Sequence, residues 1–401
     1  MTVESVAALL LFLLFGLYLT ILIGHRAGTL APAIVTFVLH VCIALVVVQL
    51  FGLFSADAIY YDHTASQLAS GEEARVTAGK EGWPALLAAL YRTFGHVPSL
   101  GLIVNAVACA VASALVGLTA ERLELPKRLS AWIAGLLPAA LLWGSLLLRE
   151  ALSWLCIALL TYAITVLMDE RDHGARRRWV LHVGMSIVAF GGLLLVRGTV
   201  ALIVGVAMLF AVVVAKRRSG RVIIVVMALV LVTAGPLLGR ISEIVGVYDF
   251  EQVNASRDAL SSSADSSFEV VSYSDPVSAV MALPRLLPRS FLGPFVWEWS
   301  AIGIPFAVDG ILWALVLIAA CRGLWRARRK RPLMILVVPA VALLIVLAQT
   351  SGNYGTMQRL RVQAEILLVP LAAAGITRVR AEEPEPLVAA RAGARNPDDD
   401  D

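Results

Sequence analysis

Long, uninterrupted apolar runs constrain this chain more than any other feature of its sequence. Most of them are close to the roughly 20 residues that an α-helix needs to cross a bilayer. Of the 401 residues, 59% are hydrophobic and only 15% are charged, and the mean hydropathy is +0.82. So few polar side chains cannot cover the surface of a water-soluble protein of this size. The composition therefore indicates an integral membrane protein and excludes a soluble enzyme, a nucleic-acid-binding protein and a secreted disulfide-rich domain.

The runs lack the alternation of apolar and polar residues that barrel strands require, so the predicted fold class is all-α. We expect a polytopic protein with about 11 transmembrane helices within residues 1–380. The expected spans are 3–24, 30–54, 98–119, 129–148, 151–168, 180–196, 199–215, 222–239, 302–321, 332–349 and 363–379. The first span has no basic start and no small-residue cleavage motif before Gly24, so we expect it to be retained rather than removed as a signal peptide.

Basic residues divide unequally between alternate loops. One set of loops, together with the C-terminal segment, holds 22 of the 33 Lys and Arg residues, and the other set holds 11. Because basic residues accumulate in cytoplasmic loops, the first set is predicted to be cytoplasmic. In the plasma membrane the N-terminus is then on the outer face and the C-terminus on the cytoplasmic face. The polar stretches 55–97 and 240–301 lie on the outer face. Residues 381–401 are rich in acidic residues and proline and are predicted to form a disordered cytoplasmic tail.

Many charged residues of the outer face lie at the ends of apolar runs or inside them. Charges at this depth are costly and usually face a cavity or a partner. Arg149 and Glu150 separate two spans, Arg197 has no acidic neighbour in LLLVRGTVALIV, and Arg359 and Arg361 precede the last span. Arg197 therefore needs either a carboxylate of the protein or an anionic ligand. Arg149 and Glu150 have an alternative interpretation, in which they form a neutralised ion pair in a tight outer turn and face no ligand.

Two arginines at positions i and i+2 do not share a helix face, so Arg359 and Arg361 are expected to point apart. Arg361 is positioned to meet Glu365 one turn later. Asp309 lies about two turns inside its span. It is interpreted either as the partner of an arginine or as a residue that hydrogen-bonds between helices.

Several arginines around one outer cavity are typical of a phosphate site, because the guanidinium fork pairs bidentately with phosphoryl oxygens and stays charged. The phosphate-binding candidates are Arg149, Arg197, Arg285, Arg289, Arg359 and Arg361. A lipid diphosphate in the outer leaflet would fit such a site. The sequence has no P-loop, GxGxxG, HExxH or GxSxG motif, so nothing favours nucleotide binding, zinc proteolysis or α/β-hydrolase chemistry. No metal or other cofactor is predicted.

The first outer loop carries Asp57 and Asp62 directly after a span. A carboxylate at the membrane exit is suited to act as general base for an acceptor hydroxyl, so both are catalytic candidates, with Glu150 as a third. The alternative for Asp57 is a helix cap. The two aspartates are five residues apart, roughly 140° around a helix, so they are not expected to bind one metal ion.

The second outer stretch ends in an amphipathic segment. Residues 251–275 are Ser-rich and acidic, which is typical of a mobile loop or a lid over a cavity. In the segment that follows, Arg285 and Arg289 are four residues apart, and Trp297 and Trp299 come next. This pattern predicts a helix in the membrane interface, with both tryptophans in contact with lipid headgroups.

Five segments occur in order on the predicted outer face: DAIYYDHTA, GWPALLAALYRTFGHVPSLGLIVNA, LPAALLWGSLLLREAL, LLPRSFLGPFVWEW and GTMQRLRVQAEILLVP. Together they resemble the bacterial polytopic membrane glycosyltransferases of the GT-C kind and their O-antigen-like polysaccharide-polymerase relatives, over roughly 54–160 and 276–370. The resemblance implies a GT-C-like fold that uses polyprenyl-linked sugars. It also implies that Asp57 is the base, that Arg149 with Glu150 and Arg359 with Arg361 bind the donor phosphate, and that the Trp297 region contacts lipid.

We therefore expect a membrane glycosyltransferase or polysaccharide polymerase that uses a polyprenyl phosphate or diphosphate donor in exopolysaccharide or cell-envelope assembly. The expected partners are the lipid bilayer, the polyprenyl-linked saccharide, a glycan acceptor and other envelope-assembly membrane proteins, without nucleic acid. Two alternatives stay open. A transporter or flippase of lipid-linked glycan needs the arginines but no base. In a non-catalytic assembly subunit, Arg149, Arg197 and Arg359 are paired internally with Glu150, Asp309 and Glu365.

Overall fold

The protein is a bundle of α-helices in the computed structural model, which describes residues 3–53, 55–74, 76, 79–168, 176–215, 250–262, 266–268, 271–298 and 304–377. These residues contain no β-strand. Their helices are α1 (Val3–Ala27), α2 (Leu30–Phe51), α3 (Ala56–Ser70), α4 (Gly82–Phe94), α5 (Ser99–Arg122), α6 (Lys127–Leu136), α7 (Pro138–Gly144), α8 (Glu150–Met168), α9 (Arg176–Val214), α10 (Phe250–Ser262), α11 (Pro276–Leu292), α12 (Ile304–Arg326), α13 (Met334–Thr350) and α14 (Tyr354–Ile376).

Seven of the described helices are long and apolar enough to cross a membrane, namely α1, α2, α5, α8, α9, α12 and α13. Outward faces of these helices carry large apolar side chains that are exposed, among them Leu14 on α1, Leu45 on α2 and Ile318 on α12. Such faces require contact with hydrocarbon rather than water. The all-helical class is therefore confirmed, and the apolar helices indicate a lipid bilayer environment. The expected count of 11 spans is not confirmed.

Several helices differ from the expected spans. The expected span 129–148 is divided into α6, with 10 residues, and α7, with 7, and each is shorter than the roughly 20 residues of a crossing helix. The division occurs because Leu137 is extended (ψ 124°) before Pro138, a conformation that proline imposes on the preceding residue. The expected spans 180–196 and 199–215 belong to α9, which is interrupted at Arg197. The expected span 222–239 and the predicted tail 381–401 lie outside the described residues.

Helix α5 lies in the middle of the bundle. In its most apolar segment 83% of the residues are buried, against 17% for α1. It packs against α1, α2, α6 and α8, and its buried residues include Ala106, Ala110 and Ala114. Small side chains let helix backbones approach closely, which is how helices associate where lipid leaves no hydrophobic driving force between them.

The described loops that the sequence assigns to the cytoplasmic side lie together at one end of the bundle. Lys127 pairs with Glu121, and Lys330 donates a 2.7 Å hydrogen bond to Glu124. Arg326 donates to the backbone carbonyl of Thr377 at 2.9 Å. We call this the basic end. Helix α3 and the starts of α8 and α14 lie at the opposite end, as the contacts described below establish.

Helices α12 and α14 touch through glycines. A Cβ atom added at Gly323 would collide with the carbonyl oxygen of Leu371, and one added at Gly375 would collide with that of Ala319. Neither neighbour is a flexible side chain, so neither can move aside easily. This backbone contact sets the position of α14, which carries Arg359 and Arg361.

We expect Gly375→Ala to lower the free energy of unfolding by about 1–3 kcal/mol, because the added methyl group over-packs a rigid backbone contact. Thermal unfolding of the purified protein in detergent measures the change. Gly184→Ala is the matched control, since a Cβ atom there meets no neighbour within 4 Å. Equal melting temperatures for the two variants would contradict the contact.

Candidate functional site

The Glu150 carboxylate lies at the centre of a buried group of charges. It begins α8, and its side chain is 1% exposed. Its Oε1 atom accepts a 2.5 Å hydrogen bond from Nη2 of Arg197 and lies 3.3 Å from Nε of Arg359. One carboxylate thus links α8 to α9 and α14. Of the two partners that the sequence leaves open for Arg197, the structure has the carboxylate of the protein.

The interruption of α9 positions two of the arginines. Arg197 has non-helical backbone angles (φ −155°, ψ 75°), and a break in a helix leaves carbonyl groups without intrahelical partners. Arg149 donates from Nη1 to the carbonyl oxygen of Val196 at 2.9 Å, immediately before the break. The break therefore provides an acceptor for Arg149 and directs Arg197 to Glu150.

An unwound segment before α8 is held by polar side chains. Residues 145–149 are not helical. The buried Asn105 of α5 donates from Nδ2 to the carbonyl oxygens of Leu146 and Leu148, at 2.7 and 2.8 Å. Irregular backbone beside a membrane core is tolerated only where such partners replace the lost helical hydrogen bonds. The segment ends at Arg149 and Glu150, so Asn105 supports both charged residues.

Arg359 connects this group to α3. Its guanidinium forms an ion pair with Asp57, in the first turn of α3, and lies 6.0 Å from the ring centre of Trp143. The Asp57 side chain is 47% exposed. Burial opposes ionisation of Asp57, but attraction to Arg359, followed by Arg149 and Lys80, holds its pKa below the usual range. Asp57 is therefore an ionised, accessible carboxylate at the edge of the group. We call Arg149, Arg197, Arg359, Glu150 and Asp57 the arginine cluster.

Three residues beside the arginine cluster were not candidates from the sequence. Tyr61 lies under Arg149, with its ring centre 6.0 Å from the guanidinium carbon, and burial raises the pKa of Tyr61 to about 12. Trp143 lies next to Arg359. Lys80 is close enough to Asp57 to stabilise its charge. The sequence gives little sign of the aromatic residues, and for Lys80 the only signal is the pair of glycines near it, Gly79 and Gly82.

The arginine cluster holds more hydrogen-bond donors than it uses. Three arginines meet two carboxylates. Within the described part of the chain, the buried Nε atoms of Arg149, Arg197 and Arg359 and the Trp143 indole N–H have no hydrogen-bond acceptor, and Oε2 of Glu150 has no donor. The Nε atom of Arg359 is near Glu150 but is not aligned to donate to it. Buried polar groups without partners are uncommon, and such a concentration is typical of a ligand site.

Arg361, by contrast, lies in the core and is fully paired. It donates to Asp309 at 2.8 Å, to Glu365 at 3.0 Å and to the carbonyl oxygen of Gly293 at 2.7 Å. Asp309 also accepts a 3.1 Å hydrogen bond from the backbone N–H of Ala139, at the start of α7. Asp309 is thus both the partner of an arginine and a link between helices. As expected, Arg361 meets Glu365, and Arg359 points elsewhere.

Asp62 belongs to a different group from Asp57. It accepts hydrogen bonds from the Tyr91 hydroxyl at 2.6 Å and from Nε2 of His96 at 3.0 Å. These contacts join α3 to the end of α4 and the loop that follows it. The two aspartates diverge around α3 as their spacing predicts, and Asp57 alone of the pair meets the arginine cluster.

Helix α11 carries the remaining arginine candidates. Arg289 donates to Glu298 at 2.8 Å and lies over the Phe268 ring, and Arg285 lies on an exposed part of the helix. The same helix exposes Val277, Met281 and other apolar residues. Such an amphipathic surface is typical of an interfacial helix.

The residues that flank α11 complete the candidates of this region. Trp297 is 75% exposed and stacks on Phe295, while Trp299 lies outside the described residues. Part of the Ser-rich stretch 251–275 forms α10, and Phe268 donates from its backbone N–H to the carbonyl oxygen of Gly352. This stretch therefore contacts the segment immediately before α14.

No group of three or more His, Cys, Asp and Glu side chains that could hold a metal ion lies among the described residues. Comparison of the chain with models of known protein families gives no match, and comparison with curated proteins gives none either. The arginine cluster is therefore interpreted from its own geometry.

We expect Glu150→Gln to lower the free energy of unfolding by about 3–5 kcal/mol, because it leaves Arg197 and Arg359 without a buried counter-charge. Thermal unfolding in detergent measures the change. Glu121→Gln breaks the half-exposed pair with Lys127 at the basic end and should cost about 1 kcal/mol or less. If both variants unfolded at the same temperature, Glu150 would not be the residue that neutralises the cluster.

Proposed function

We propose that the chain is a membrane glycosyltransferase or polysaccharide polymerase. It transfers a glycan from a polyprenyl phosphate or diphosphate donor to an acceptor on the extracytoplasmic face, in exopolysaccharide or cell-envelope assembly. The observation that carries the proposal is the convergence of Arg149, Arg197 and Arg359 on one site with excess positive charge and unpaired N–H groups. Guanidinium groups in this arrangement are suited to phosphoryl oxygens. The site lies opposite the basic end, the end that the charge distribution assigns to the cytoplasm.

Apolar side chains next to the arginine cluster are compatible with a lipid-linked donor. A hollow between α2, α3 and α5, with room for about one water molecule, is lined by apolar residues that include Val47, Leu53, Ala58, Leu102 and Leu147. Ala58 follows Asp57 in the chain, and Leu147 comes two residues before Arg149. A headgroup bound by the arginines would therefore lie near apolar side chains, and the hollow would have to widen to admit an isoprene unit.

The proposed transfer follows from the charges. The bond between the anomeric carbon and the donor phosphate oxygen breaks, and a bond forms between that carbon and the acceptor hydroxyl oxygen. The arginines stabilise the charge that develops on the departing phosphate. Asp57 accepts the proton of the acceptor hydroxyl and later releases it to water. Glu150, whose side chain is buried among guanidinium groups, positions the arginines.

Donor binding and base strength are linked in this proposal. A donor phosphate that takes Arg359 competes with Asp57 for the same guanidinium. Once Asp57 loses that attraction, its pKa rises towards its usual range or above, since burial is then less opposed. The carboxylate thus becomes a stronger base when the donor is in place.

Transport of a lipid-linked glycan is the second candidate. The observation that favours it is the irregular backbone at two places, residues 145–149 and Arg197 in α9. Interrupted helices whose ends meet a ligand are typical of membrane transporters. A transporter would use the arginines and would not need Asp57 as a base.

We expect Asp57→Asn to reduce glycan transfer by about 10²–10⁴-fold, because it removes the proton acceptor, and Arg359→Met to reduce it similarly. In both variants the complete lipid-linked donor should accumulate in the outer leaflet of the host membrane. Mass spectrometry of the polyprenyl fraction, with an impermeant label for sidedness, measures this. The matched controls are Asp258→Asn, at an exposed position of α10, and Arg328→Met, at the basic end.

Accumulation of the lipid-linked donor in the inner leaflet would contradict the transferase and favour the transporter. Normal lipid-linked saccharides in both variants would contradict both functions and leave a non-catalytic assembly subunit. Transfer that survives Asp57→Asn but not Arg359→Met would remove Asp57 as the base and keep the phosphate site.

A further inference from the structure

Two glycines dock the end of the α3–α4 loop on the interruption of α9. The backbone N–H of Gly198 donates to the carbonyl oxygen of Gly79 at 3.2 Å. Gly79 has φ +74°, and a Cβ atom there would lie 3.2 Å from the Gly198 nitrogen. A Cβ atom at Gly82 would lie 3.0–3.1 Å from atoms of Leu195. The loop can follow the α9 backbone this closely because both positions lack a side chain.

This docking puts Lys80 beside the arginine cluster. Gly79 contacts the residue that follows Arg197, so the next residue of the loop, Lys80, is held at the same break. Burial lowers the pKa of Lys80, repulsion from Arg149 lowers it further, and attraction to Asp57 opposes both. Lys80 is thus within the electrostatic field of the cluster and is half-buried.

Among the described residues, the site with Lys80 holds four cations and two carboxylates, which leaves two positive charges in excess. Like charges held together away from bulk water repel one another, and Asp57 and Glu150 offset only two of the four positive charges. An anion with two negative charges balances the excess. A phosphate diester carries one negative charge, whereas a diphosphate diester carries two.

We propose that Lys80 is a ligand-binding residue of this site and that the site selects a doubly charged diphosphate headgroup over a singly charged phosphate diester. The inference rests on the proposed function, since it names the donor class for the same site. Within that function it specifies that the glycan donor is linked to its lipid through a diphosphate. The loop supplies Lys80 from the side of α9, the unwound segment before α8 supplies Arg149, and α14 supplies Arg359, so the headgroup is held from three directions.

The test measures binding to the full chain in phosphatidylcholine nanodiscs by isothermal titration calorimetry. The probes are methyl farnesyl diphosphate, with two charges, and methyl farnesyl phosphate, with one. The wild type should bind the diphosphate more tightly. Lys80→Met should weaken diphosphate binding about tenfold, the size expected for one charge-assisted hydrogen bond, and phosphate binding by less than about threefold. Lys80→Arg should keep the preference, and Lys330→Met, at the basic end, should change neither affinity.

Gly79→Ala separates loss of the loop position from loss of the charge. It should weaken diphosphate binding as Lys80→Met does, and the double variant should be no weaker than either single one. Unchanged diphosphate preference in Lys80→Met, with binding abolished by Arg359→Met, would overturn the role of Lys80 and keep the phosphate site. Binding of neither probe to the wild type would overturn both the inference and the proposed function. If the wild type bound inorganic diphosphate as tightly as methyl farnesyl diphosphate, Lys80 would remain a diphosphate ligand, and a lipid-linked source of the diphosphate would be contradicted.

Discussion

One buried carboxylate, Glu150, holds the charged end of this bundle together. The guanidinium groups of Arg197 and Arg359 converge on it from two other helices. In a low-dielectric interior a charge without a partner costs on the order of several kcal/mol. Sliding of one helix past another would separate Glu150 from its arginines and incur this cost. Apolar surfaces within a bilayer give no comparable preference for one register, because lipid is as apolar as the helices. The relative positions of α8, α9 and α14 therefore depend on this residue more than on the size of the apolar core.

The structure distinguishes two uses of a buried arginine. Arg361 is surrounded by acceptors, two carboxylates and a carbonyl oxygen, and joins α12, α14 and the segment after α11. Arg149 and Arg197 have fewer acceptors than donors, and both lie where a helix is interrupted. A fully paired arginine contributes to packing and order, whereas an incompletely paired one keeps a share of its hydrogen-bonding capacity for a ligand. The interruptions have a cost in backbone hydrogen bonds, which Asn105 and Arg149 offset by binding the released carbonyl groups.

The sequence predicted the helical class. It also predicted one phosphate site that is shared by six arginines, Arg149, Arg197, Arg285, Arg289, Arg359 and Arg361, and the structure brings three of them, Arg149, Arg197 and Arg359, together beside Asp57. The sequence did not separate these three arginines from Arg361 and Arg289, since the difference lies in pairing with residues far away in the chain. The break before Pro138 was also missed within an apolar run of suitable length, because hydropathy alone does not register what proline does to the preceding residue. Lys80 could not be placed from sequence, as its position depends on two glycines that follow the backbone of another helix.

The pair formed by Asp57 and Arg359 would have opposite consequences for the two functions proposed for this site. An anionic headgroup must displace Asp57 to reach Arg359, so the pair lowers affinity in either case. For transport, lower affinity helps the ligand to leave, and an asparagine in place of Asp57 would only make release slower. For transfer, displacement frees a carboxylate and raises its basicity at the moment when an acceptor hydroxyl must lose a proton. A carboxylate that is half-exposed, as Asp57 is, can meet an acceptor, whereas the buried Glu150 cannot. The position of Asp57 at the edge of the arginine cluster, rather than the number of arginines, is therefore the feature that favours glycan transfer over transport.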